Sequence, residues 1–238
     1  MALFGKYQLP FATVKTTHSE IERLRQQLSG LQQEYRQLED RNAELSKKLE
    51  ISERYASTDL LTGISNRRIT QEALVTDLSD VERNYFDLVV AQIDLDHFKN
   101  VNDTYGHEQG DAVLIGFTRA IQKHLRRSDK FGRWGGEEFI LCLPMPPGTE
   151  ILGIEDLFEK YQHESLTINR APQELRKHEP LTISLGAVII RSGAKYLDHQ
   201  EILRQVDTAL YESKKIRNTY TLKTYQKNSP HPIQKKLY

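Results

Sequence analysis

Between Ser19 and Ala56 the chain contains no proline and returns an apolar side chain every three or four residues. Written as heptads, Ile21, Leu28, Tyr35, Asn42 and Leu49 fall at position a, and Leu24, Leu31, Leu38 and Leu45 fall at d. A seam of this kind commits the segment to one long helix that must cover its apolar edge with another helix. Asn42 narrows the choice, because a buried asparagine at a is best satisfied by its own copy in an in-register parallel dimer. Flanking charges are mixed: across such a dimer Glu20 with Arg25 and Lys48 with Glu53 attract, whereas Glu34 with Glu39 repels. Gly30 softens the helix by about 1 kcal/mol relative to alanine. The expectation is a parallel dimeric coiled coil over 19–56, preceded by a short N-terminal segment, 1–18. A single helix packed on the following domain is the competing arrangement.

Beyond Ser57 the composition changes. Asp59 to Asn66 is a turn-rich joint, and helices are expected at Arg67 to Asp80, Glu108 to Arg127, Thr149 to Glu164 and Asp198 to Lys215. Strands are expected at Phe86 to Asp94, on both sides of Gly135-Gly136, at Leu181 to Ile190 and at Tyr220 to Tyr225. This alternation predicts one α/β domain over 57–226, a mostly antiparallel sheet flanked by helices, and then a frayed tail, 227–238. The chain of 238 residues is long enough for such a core. Lys plus Arg, 33, equals Asp plus Glu, 33, so no global charge draws it to nucleic acid or to an anionic membrane. Met1 to Phe11 lacks the form of a signal peptide, and no run approaches the ~20 apolar residues of a membrane span. The one cysteine, Cys142, sits in an apolar strand and reads as a core thiol of a reducing compartment, which makes the expected location cytoplasmic.

Two acidic pairs suggest where chemistry happens. Glu137 and Glu138 follow the tight Gly135-Gly136 turn between two strands, and Asp94 and Asp96 end the apolar strand that begins at Phe86. Either pair alone also reads as a solvated turn. Together, at strand ends, they suit a hard cation such as Mg²⁺, which takes a few carboxylate oxygens plus water and phosphate. No cluster of cysteine and histidine offers a zinc alternative.

Four blocks then fall into a familiar order. They are Asp59-Leu60-Leu61-Thr62-Gly63-Ile64-Ser65-Asn66-Arg67-Arg68, the run from Asp94 through Asp111, Arg133 through Phe139, and Asp207-Thr208-Ala209-Leu210-Tyr211 with Lys214. In this the chain resembles the GGDEF family of diguanylate cyclases, in a GGEEF variant, from Asp59 to about Asn218. The resemblance implies a palm-like α/β fold of the ferredoxin and nucleotide-cyclase type. It also implies an activity, the condensation of two GTP into cyclic di-GMP with release of pyrophosphate, with Mg²⁺ or Mn²⁺ as cofactor.

By that resemblance Asp94, Leu95, Glu137 and Glu138 are the metal positions, with Glu137 either a ligand or the group nearest the attacking hydroxyl. Asn102 and Asp111 would take the guanine base, and their acceptors suit its N1–H and N2–H₂. Lys99, Lys214, Gly135, Gly136 and the amides near His97 and Phe98 would meet the triphosphate. Arg126 and Asp129 stand at the spacing of the family's inhibitory product site, or else Arg126 and Arg127 simply end a helix. From Leu157 to Tyr161 the only cation is Lys160, so the second arginine often found in that site is missing. Because each domain holds one GTP, the implied enzyme is a homodimer with facing half-sites, joined by the coiled coil. The alternative is an inactive GGDEF-like receptor for GTP or cyclic di-GMP.

Overall fold

The structure, a computed structural model, describes residues 11–173, 180–225 and 231–234. The chain divides into two compact units, Met1–Arg54 and Tyr55–Tyr238. Helix α1, Phe11–Ser57, is 47 residues long. It begins earlier than Ser19 because no Gly or Pro interrupts the stretch after Pro10; residues 1–10 lie outside the described residues. Along it the a and d side chains are exposed, Leu31 at 62% and Leu38 at 61%.

The second unit runs β1 (Ser65–Asn66), α2 (Arg67–Glu82), β2 (Asp87–Leu95), α3 (Phe98–Tyr105), α4 (His107–Gln122), β3 (Lys130–Arg133), β4 (Glu138–Met145), α5 (Ile151–Leu166), β5 (Ile183–Ile190), α6 (His199–Lys214), β6 (Tyr220–Thr224) and β7 (His231–Gln234). Seven strands form one sheet in the order β1-β3-β4-β2-β5-β6-β7. Every residue of β2 is buried, as expected of a central strand packed on both faces.

The sheet is mostly antiparallel, as expected: β3, β4, β2 and β5 pair antiparallel, as do β6 and β7, while β1 with β3 and β5 with β6 are parallel. The β5–β6 connection crosses over through α6, as a parallel pair requires. Two other features differ from the expectation. The single helix expected from Glu108 is preceded by a separate α3, broken from α4 at Gly106 with φ of 84°, and α4 stops at Gln122, short of Arg126. Finally, part of the expected frayed tail forms β7, which pairs antiparallel with β6 and occupies backbone groups that would otherwise be an open sheet edge. Residues 226–230 and 235–238 lie outside the described residues.

Alternation along β2 sorts the core into two layers. Val89, Ala91, Ile93 and Leu95 face Val113, Leu114 and Phe117 of α4 and Ile154 and Phe158 of α5. Leu88 and Val90 face Leu74, Leu78 and Val81 of α2 and Ile202 and Val206 of α6, together with Cys142. By the same parity Gln92 and Asp94 point to the α6 side.

Asp77 of α2 is an exception within this second layer: it is 7% exposed, and its Oδ2 has no partner among the described residues. Burial raises its pKa from 3.8 to about 6, with Lys130 opposing and Asp80 adding to the shift. A carboxyl whose folded pKa lies above its unfolded value stabilises least once it is ionised, so this site loses stability as pH rises from 3.8 through about 6. Asp77→Asn is therefore expected to raise the melting temperature at pH 8 by about 5 °C, on the order of 2 kcal/mol. Thermal unfolding at pH 4.5 should show less than half of that gain; an equal gain at both pH values would exclude the titration of Asp77 as its source.

Candidate active site

The site is built at the end of β2 where three carboxylates gather. The β2–β4 register sets Asp94 directly opposite Glu138. Glu137 is tied in by its main-chain carbonyl, which accepts the Leu95 amide at 3.3 Å. Gln92, two residues back on the same face, approaches Glu138 Oε1 with Nε2 at 3.4 Å. The one cation among them is Lys214 at the end of α6, whose Nζ lies 2.7 Å from Asp94 Oδ2.

One lysine against three carboxylates leaves an excess of negative charge. Burial raises the pKa of Asp94, Lys214 counters it, and Glu138 and Asp96 push it further up. Glu137 is likewise raised by burial and then by Asp94 and Glu138, against the pull of Lys214. For Lys214, burial works against the charge, but Asp94, Glu138 and Glu137 more than offset it and hold the ammonium protonated.

The donor set fits a hard divalent cation. The oxygens available there are those of Asp94, Glu138 and Glu137, and Leu95, an apolar side chain, could offer only its main-chain carbonyl. A Cβ on Gly135 would lie 2.8 Å from Glu138 Oε2, so only glycine leaves room for the carboxylate where it stands. Among the described residues no three acidic, histidine or cysteine groups enclose a metal by themselves.

The glycine turn is held from outside by two residues that the motif reading left without a role. Trp134 and Gly135 donate to the Glu138 carbonyl at 2.8 and 3.3 Å, closing the hairpin. Arg133 Nη2 donates to the Gly136 carbonyl at 2.7 Å, and its Nη1 reaches both oxygens of Asp59 at 3.1 and 3.2 Å. Burial would raise the Asp59 pKa, but hydrogen bonds from the Thr62 hydroxyl and amide and from Arg133 bring it below the usual range. Arg133 thus ties the turn to the Asp59–Asn66 joint. Its place two residues before the glycines was the available signal. Asp96, in the acidic motif, proves to be a tether: it accepts from Ser184 Oγ at 2.7 Å and from the Asn218 amide at 3.0 Å.

The remaining candidates lie on the α3–α4 hairpin and at the far end of α4. Asn102 packs against Gly110, where a Cβ would lie 1.9 Å from its Oδ1, and this brings α3 beside the first turn of α4, which carries Asp111. Lys99 and Asp111 are exposed, Asn102 is half-buried and Phe98 is buried. His97 caps α3 with φ of 58°. Arg126 and Asp129 form a turn of their own after α4: Asp129 Oδ2 accepts the Arg126 amide at 2.7 Å, and the Arg126 side chain is exposed. Beneath them the Tyr161 hydroxyl is buried without a partner among the described residues, and burial with the charge of Asp129 raises its pKa against the pull of Arg126.

A mixed sheet flanked by helices, with carboxylates at the end of its central strand and at a glycine hairpin, defines an α/β domain of the nucleotide-cyclase palm type. The chain belongs to the GGDEF-domain family of diguanylate cyclases, matching "Diguanylate cyclase, GGDEF domain" over residues 56–219. It is 34% identical over 164 residues to the probable diguanylate cyclase DgcC of Escherichia coli K12, covering 67% of this chain and 41% of that protein. The chain spans less than half the length of the curated relatives it matches. Among solved structures it is similar to the Pseudomonas aeruginosa diguanylate cyclase SiaD in complex with its activator SiaC, at 31% identity and a TM-score of 0.62, covering 89% of this chain and 78% of that one. It also shares its fold with the coiled coil and GGDEF domain of DgcB from Caulobacter crescentus in complex with c-di-GMP, at 24% identity and a TM-score of 0.66, covering 90% and 98%. The long α1 is consistent with a coiled coil.

If Arg133 holds the turn, Arg133→Ala should speed hydrogen exchange of the Trp134 and Gly135 amides by at least about tenfold. The amides of Val90 and Leu141 in the central strands should keep their protection. Unchanged exchange at Trp134 and Gly135 would mean that the hairpin holds itself.

Proposed function

We propose that this chain condenses two GTP into cyclic di-GMP with release of two pyrophosphates, working as a homodimer of facing half-sites. The observation that carries this reading is the Asp94–Glu138 pair, set in register across β2 and β4 beside Lys214, in a domain of the GGDEF family.

Asp94, Glu138 and the main-chain carbonyl of Leu95 would hold Mg²⁺, or Mn²⁺ in its place, with Glu137 a further ligand or the group nearest the attacking hydroxyl. Bound there, the ion supplies charge stabilisation at the attacking and leaving oxygens. Asp111 accepts from guanine N1–H and N2–H₂, and the Asn102 amide donates to O6, a pattern that adenine does not match. Lys99 and Lys214 meet phosphate oxygens as point charges, and the amides of the His97–Phe98 turn add directional donors. Gly135 and Gly136 let the phosphates approach the backbone closely. In each transfer the 3′-oxygen of one GTP bonds to the α-phosphorus of the other and the bond to pyrophosphate breaks. The hydroxyl proton passes through a carboxylate to water, and two transfers close the ring.

One domain presents one such site, so a second copy must face it. The exposed seam of α1 supports a parallel dimer that raises the local concentration of the partner domain. Arg126 and Asp129 are proposed to bind product, weakly, since α5 brings Lys160 and no arginine between Leu157 and Tyr161. The reducing compartment that suits Cys142 and supplies GTP is the cytoplasm.

Incubation with GTP and Mg²⁺ followed by chromatography should yield cyclic di-GMP, and Glu138→Gln should lower the rate by at least about a hundredfold. GTP binding by a demonstrated dimer without product would leave the receptor reading in its place. Leu38→Pro and Asn42→Lys should weaken dimerisation and turnover together; sedimentation unchanged in both variants would remove the seam as the dimer contact.

A further inference from the structure

The loop after α5 carries an arginine outside all four sequence blocks. Arg170 Nη2 donates to the main-chain carbonyl of His97 at 3.1 Å. The same carbonyl accepts the Asn100 amide at 2.9 Å, the bond that opens α3. His97 itself has φ of 58° and ψ of 25°, and its side chain makes no capping hydrogen bond. For a residue with a Cβ this left-handed conformation is uncommon, though less so for histidine than for most, and contacts from its surroundings help to hold it. A guanidinium on the carbonyl is such a contact, and a charged donor makes the bond stronger than a neutral one would.

The direction of approach matters. Arg170 borders a cavity of about 390 Å³ that is also lined by His97, Asn100, Val101, Thr104 and Tyr105. At helical spacing these positions share one face of α3, whereas Lys99 and Asn102 project from the others. Arg170 therefore reaches the turn from the side of α3 away from Lys99 and Asn102. Its Nε is buried and meets no acceptor, so among the described residues the guanidinium is anchored by the His97 carbonyl.

We propose that Arg170 is a positioning residue for triphosphate binding, locking the His97–Phe98 turn so that its amides face the phosphates while making no contact with the nucleotide itself. The inference rests on the reading of that turn as a phosphate contact, and it assigns a function to a loop that the family motifs do not include.

The test compares two ligands in the presence of Mg²⁺. 3′-Deoxy-GTP lacks the attacking hydroxyl and is not turned over; guanosine lacks the phosphates. Arg170→Ala is expected to weaken 3′-deoxy-GTP by about tenfold and to change guanosine by less than about twofold, and Arg170→Lys, which keeps a charged donor, should recover most of the loss. Should Arg170→Ala fail to fold, Arg170→Gln is titrated against the same pair and is expected to show the same selective loss. Equal losses for both ligands would assign Arg170 a purely structural role, and unchanged binding of both would assign it none; either result overturns the proposal. A wild-type protein that binds neither ligand removes the reading of the site itself, and this inference with it.

Discussion

The pairing of β2 with β4 is the constraint on which the rest of this domain depends. Its register puts Asp94 opposite Glu138 with Glu137 adjoining, and like charges facing across a ladder destabilise a sheet unless something neutralises them. The surrounding features answer that repulsion. Lys214 comes from the end of α6, Gln92 offers an amide from the same face of β2, and Gly135 withholds the Cβ that would crowd Glu138. One lysine against these carboxylates leaves the end of β2 with an excess of negative charge.

Strand alternation distributes the parts around this point. Because Asp94 shares its parity with Val90 and not with Val89, it faces α6, and the last turn of that helix ends within reach of it. The chain then leaves β2 through Asp96, anchored to Ser184 and to the amide of Asn218, and turns at His97 into α3. The outer supports are polar and specific. Arg133 and Asp59 brace the glycine hairpin on one side, and Arg170 braces the His97 turn on another. Neither brace is apolar, because each must hold main-chain carbonyls that the turns leave without ladder partners.

The helix α1 poses a different physical problem. Its apolar seam is exposed along the single chain, and a helix of this composition gains its stability from covering that edge. At its C-terminal end the Ala56 carbonyl accepts from both Asn66 Nδ2 and Arg68 Nη2 at 2.8 Å. Asn66 also caps α2 through Ile69. One asparagine therefore ends one helix and starts another, and the Asp59–Arg133 ion pair links the joint to the glycine hairpin.

Much of this was legible in local pattern. Resemblance to the family's motifs, and not local pattern, pointed to Asn102, Asp111 and Lys214; heptad spacing located the helix, alternation and apolar runs located β2, β4 and β5, and acidic pairs at strand ends picked out Asp94, Glu137 and Glu138. Those are short-range properties of the chain, set by propensity and period. The helix start at Phe11, the break at Gly106 and β7 escaped because helix ends and edge strands depend on whether a partner backbone group is present. What only the tertiary structure decided is which partners meet: that Asp96 is a tether, that Arg133 reaches back to Asp59, and that Arg170 reaches His97. Each is a contact between distant segments with no periodic signature, created when the sheet closes and satisfied by hydrogen bonds that the linear sequence leaves undetermined.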